Sequence, residues 1–156
     1  MGIYLSFNFV KKDKELFAGE LPSLRMYEAK LPLVEKNFYN NGNDSVSFYG
    51  GGYIFSEFEQ NAGNRWEYYQ YHNDCYFINM VNTLCGIDQR DYDDRTVFLF
   101  EMDLIKNAFQ NVIKYAKNGG FTNKEYYEED MKLLNIFLEN IIKNEEKNLL
   151  ISCWIG

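Results

Sequence analysis

The chain has 156 residues, of which 46% are hydrophobic and 18% aromatic, including 13 Tyr and 13 Phe. That much apolar surface excludes an intrinsically disordered chain and fits a single domain over residues 1–156. A formal net charge of −7 repels phosphate backbones and anionic lipid, so neither nucleic acid nor membrane is an expected partner, whereas a basic protein is.

The first element in chain order covers residues 3–10. Ile3, Leu5, Phe7 and Phe9 alternate there with Tyr4, Ser6 and Asn8, which predicts a strand with one apolar face. Residues 11–20 read as a charged loop containing Gly19. Over residues 23–40, Leu24, Tyr27, Leu31, Val34 and Phe38 lie near helical spacing, but Pro32 interrupts the pattern and argues against one continuous helix. Asn40-Asn41-Gly42-Asn43-Asp44 is a turn. Val46-Ser47-Phe48-Tyr49 and Tyr53-Ile54-Phe55 then flank Gly50-Gly51-Gly52, which predicts two strands around a bend. Beyond a second turn at residues 61–64, a helix is expected over residues 74–84. Asp74 caps it, Gly86 stops it, and Tyr76, Phe77, Met80, Val81 and Leu84 form its stripe.

The last third carries the strongest periodicity. A short apolar run at residues 97–100 precedes a helix over residues 103–118, with Asp103 as its cap, Leu104, Ala108, Val112 and Tyr115 on one face, and Gly119-Gly120 at its end. Thr122 and Glu125 have the spacing of a capping box, so the next helix is expected to run over residues 122–147, with Tyr127, Met131, Leu134, Leu138 and Ile141 as its stripe. Residues 149–155 are apolar on both parities, as in a strand covered on both faces, and the first strand is a fitting neighbour. The expected fold is therefore α+β: an antiparallel-type sheet with a C-terminal helical hairpin packed on one face and a central C-terminal strand.

Residue types that carry chemistry cluster in the middle of the chain. His72 is the single histidine, Cys75 follows three residues later, and Asp74 lies between them. A nucleophile, a base and an orienting acid are the parts of a small cytosolic hydrolase, which is one alternative. His72, Asp74, Cys75 and Cys85 match no zinc spacing. Residues 88–94 lack the glycine and glutamate of a calcium loop, and Gly50-Gly51-Gly52 lacks the lysine of a phosphate loop. No metal or cofactor is expected. Glu57 and Glu59 alternate as glycosidase carboxylates do, and equally as a solvated strand edge does. Cys75, Cys85 and Cys153 form no CxxC pair, which fits reduced thiols. With no basic leader and no membrane-length apolar run, a cytoplasmic location is expected.

A different grouping points to recognition. Trp66, Tyr68, Tyr69 and Tyr71 stand beside Glu57, Glu59 and Glu67 in sequence, and Asp91, Asp93 and Asp94 follow. Aromatic anchors bordered by carboxylates suit an interface with a basic partner. The first four rings and the three aspartates are the expected contacts. A non-enzymatic subunit of a larger complex would present the same surface.

The opening MGIYLSFNF, the helix pair at residues 103–118 and 122–147, and the ending LLISCWIG resemble the small cytosolic immunity proteins of bacterial polymorphic-toxin and contact-dependent growth inhibition systems. The resemblance covers the ends of the chain more than its middle. It implies a protein without catalytic residues that binds one cognate toxin domain, a basic nuclease-like one given the charge, and blocks it by occlusion. It also implies that partner specificity resides in residues 38–95.

Overall fold

Strand alternation in the first segment sets up the whole architecture. The computed structural model describes residues 4–17, 19–21, 26–49, 54–55, 57–58, 96–121, 123 and 125–155. In β1 (Tyr4–Lys11) the odd positions Leu5, Phe7 and Phe9 are buried, while Tyr4, Ser6 and Asn8 face the other way. β6 (Leu149–Ile155) pairs with β1 on one side and with β5 (Thr96–Glu101) on the other. In that register Phe7 and Phe98 both lie opposite Cys153, and Phe9 and Phe100 both lie opposite Ile151. β4 (Val46–Tyr49) flanks β1, while β3 (Met26–Lys30) and then β2 (Gly19–Leu21) extend the sheet beyond β5. The order is β2-β3-β5-β6-β1-β4, and every neighbouring pair is antiparallel. The closing strand is central and β1 is its neighbour, as the apolar parities require.

Two helices cover one face. α2 (Met102–Lys117) buries Leu104, Ile105, Ala108, Phe109, Val112 and Ile113. α3 (Glu128–Lys143) buries Leu134, Phe137 and Ile141. Their rings interlock with those of the sheet: Phe109 lies 5.2 Å from Phe7 and 5.5 Å from Phe55, and Phe137 stacks on Phe9 at 4.9 Å. Such edge-to-face and offset contacts each add about 0.5–1.5 kcal/mol beyond the area they bury. The opposite face holds a smaller core of Val10, Leu16, Ala29, Val34, Val97, Leu99 and Leu150, covered by α1 (Leu31–Lys36) and the short 3-10 turn at Lys14–Leu16. Asn37 ties these two coverings together: its amide donates to the Leu33 carbonyl at 2.9 Å and to the Glu15 carboxylate at 3.1 Å.

Several boundaries differ from expectation. Residues 26–36 are a strand followed directly by a helix, and Pro32 sits in that helix's first turn, where a missing N–H costs nothing. Residues 19–21 form an edge strand rather than loop. Ile54 and Phe55 are helical, not extended. Ile54, Phe55 and Phe58 are all buried, a spacing that only a helical turn satisfies. α2 starts at Met102 with Glu101 in the cap position, two residues before the expected cap Asp103. α3 starts at Glu128 rather than at the capping box, and Tyr127 in its cap position makes no side-chain cap bond. The turn at residues 40–42 is as expected, and its backbone explains its composition. Asn40, Asn41 and Gly42 have φ of 54°, 55° and 76°, a left-handed run that few residues other than Asn and Gly accept. The expected helix over residues 74–84 lies outside the described residues.

Candidate functional site at the end of the helical hairpin

The connection between α2 and α3 forms a concavity. α2 ends in a Schellman motif: the Gly119 N–H donates to the Ala116 carbonyl at 3.1 Å and the Gly120 N–H to the Tyr115 carbonyl at 2.9 Å, with Gly119 at φ 75°. Gly120 lies directly under the Tyr115 ring, and any Cβ there would be driven into it. The reversal delivers Phe121 edge-on to Tyr115 at 5.0 Å. Phe121 meets Tyr127 at 5.4 Å, and Phe58 closes on the other side of Tyr115 at 5.2 Å. This ring cluster delays the start of α3: residues 125–127 fold as a turn across the end of α2 instead of entering the helix.

The result is a cavity of about 450 Å³, within the size range of small-ligand and side-chain anchoring sites. Phe121, Tyr127, Met131 and Ala116 form its apolar lining. Glu125, Glu128 and Lys117 stand exposed at its rim. A third carboxylate comes from a distant part of the chain. Glu57 accepts a hydrogen bond from the Tyr127 hydroxyl, and burial together with that bond and the Glu57 charge raises the phenol well above its ordinary value. Tyr127 therefore stays neutral and holds its proton toward Glu57. In the first turn of α3, burial and the neighbouring Glu129 charge lift Asp130 from 3.8 to about 6. Tyr126, 63% exposed, packs edge-on against Tyr127 at 5.0 Å and extends the aromatic surface outward. Carboxylates around a ring-lined hollow attract and desolvate a cation.

A second exposed aromatic surface lies on the other sheet face, at its β1–β4 end. Tyr4 and Tyr49 stack edge-on at 5.5 Å, and the Ser6 and Ser47 hydroxyls bond each other at 2.8 Å. It is flat and carries no carboxylate among these four residues.

The residues expected from sequence to make contacts, Trp66, Tyr68, Tyr69, Tyr71, Asp91, Asp93 and Asp94, lie outside the described residues, as do His72, Asp74, Cys75, Cys85 and Glu59. Glu57 is described, but in a helical turn beneath the hairpin end rather than on a strand edge. Cys153 is a buried cysteine in the sheet. Among the described residues no group of three or more His, Cys, Asp or Glu side chains is arranged to hold a metal ion. No helix there is long and apolar enough to cross a membrane. The hairpin end was not singled out from sequence, although its signal was present: two glycines, then Phe121, Tyr126 and Tyr127, then the acidic run Glu128-Glu129-Asp130. No family model, curated protein or solved structure matches this chain.

Proposed function

We propose that this protein is an inhibitor of the immunity type, which binds a basic bacterial toxin domain and neutralises it by covering its working surface. The observation that carries this reading is the ring-lined hollow at the hairpin end with Glu125 and Glu128 on its rim and Glu57 bonded to its tyrosine. A chain of net charge −7 adds long-range attraction, which speeds encounter with a positively charged partner and weakens with salt. The resemblance of the chain's ends to immunity proteins points in the same direction. The hairpin rests on a sheet whose covered face is filled with interlocked rings, so the hollow is presented by a rigid support and needs little ordering on binding.

The test is co-expression with the product of the adjacent gene. The expected result is that the neighbour arrests growth alone, is harmless together with this protein, and co-purifies with it as a stable complex. A neighbour that is harmless alone, or that neither binds nor is neutralised, overturns the proposal.

A further inference from the structure

We infer that the hairpin-end cavity is the receptor for one arginine side chain of the protein partner. This deepens the reading of that surface as a partner-binding site and rests on it. Three features define the occupant. The interior formed by Ala116, Phe121 and Met131 is apolar, which suits the methylene stem of a long side chain. Phe121 and Tyr127, 5.4 Å apart, offer ring surface on which a flat cation can lie. Among the described lining residues Glu125 and Glu128 border the opening together with Lys117, two carboxylates to one ammonium. Glu57 is already engaged by Tyr127, so it fixes the ring and adds negative charge without closing the hollow.

A planar guanidinium satisfies all three demands at once. It stacks on rings, donates in a fork to a carboxylate, and sheds its hydration more readily than an ammonium does. A neutral side chain of the same shape would leave the rim carboxylates unanswered. An anionic one would be repelled.

Capped single residues titrated into the intact protein, followed by NMR of its methyl and aromatic signals, test this. N-acetyl-arginine methylamide is expected to bind saturably in the millimolar range and to move the Met131 methyl and the Phe121 and Tyr127 ring signals. The neutral isostere N-acetyl-citrulline methylamide is expected to bind about tenfold more weakly, since it loses the charge-assisted bonds. Glu128→Gln, at an exposed position that leaves packing intact, is expected to weaken the arginine probe about threefold or more and to leave the citrulline probe unchanged. Citrulline binding within twofold of arginine, or signal changes centred away from the hairpin end, overturns the inference. Spermidine binding more tightly than capped arginine also overturns it, because it assigns the hollow to a free polyamine. The probes report on the cavity and co-expression on the inhibitor role, so a failure of one is distinguishable from a failure of the other.

Discussion

The two faces of the sheet use the same six strands and reach opposite ends. On one face Phe7, Phe48, Phe98, Phe100 and the helix rings Phe109 and Phe137 form a continuous aromatic core under the α2–α3 hairpin. On the other, the smaller residues Val10, Val34, Val97 and Leu150 are sealed by the six-residue helix α1, and the β1–β4 end carries hydroxyls and exposed tyrosines. The difference shows where stability and recognition divide. The ring-filled face holds the hairpin rigidly enough to support a cavity at its far end. The small-residue face is covered at one end and leaves Tyr4 and Tyr49 exposed at the other.

That contrast can be broken most strongly at its centre. Phe109 touches the rings of Phe7, Phe48, Phe55 and Phe137 at 5.2–6.3 Å. Phe109→Ala is expected to cost about 3–5 kcal/mol, against about 2 kcal/mol for Val34→Ala on the other face. Urea titration should show the midpoint falling for both with an unchanged slope. Equal losses would mean that the two cores carry the fold equally.

A smaller effect sharpens the link between the ring-filled face and the cavity. Gly120→Ala forces a methyl into the Tyr115 ring, which is flanked by Phe58 and Phe121 and must shift against them. A loss of about 2 kcal/mol is expected from the overpacking. The arginine probe should lose its site in this variant, because Phe121 is displaced with the ring.

The smallest expected effect is electrostatic. Asp130 has its folded value raised from 3.8 to about 6 by burial and by Glu129, even though it sits in the first turn of α3, where the helix dipole favours an anion. The folded state therefore holds this proton more tightly than the unfolded chain does. Its contribution is fully present below pH 3.8 and is lost as pH rises through about 6. Asp130→Asn is expected to stabilise the protein at pH 7 by about 1 kcal/mol, once solvent screening of the half-buried carboxyl is allowed for. The gain should vanish in acid, and parallel denaturation curves at neutral and acidic pH would show it.

What the sequence disclosed follows from how many residues carried each signal. β1 was legible because Leu5, Phe7 and Phe9 alternate without exception. The hairpin was legible because Leu104, Ala108 and Val112 in α2, and Leu134 and Ile141 in α3, keep helical spacing over about two turns each. β3 was not: in five residues it contributes Tyr27 and Ala29 to the core, and Tyr27 happens to fall in helical phase with Leu31 and Val34 of the element that follows. Ile54 and Phe55 misled because two apolar neighbours beside three glycines fit a strand as well as one helical turn. The cavity was harder still. Its residues come from the end of α2, a turn and the start of α3, and Glu57 joins them from about seventy residues upstream, a proximity that only the folded chain creates. Tyr127 and Met131 were visible as a helix stripe, but their position over the reversed end of α2 was not.

The position of β6 has a consequence for synthesis. It follows every other strand of the described sheet in chain order, yet it alone joins β2-β3-β5 to β1-β4. Without it the β2-β3-β5 and β1-β4 groups share no ladder, and each has a raw edge where the missing strand belongs. Seating β6 brings Cys153 beside Phe7 across nearly the whole length of the polypeptide, a long-range contact of the kind that slows folding. A chain cut short before Leu149 lacks the strand that joins the two groups.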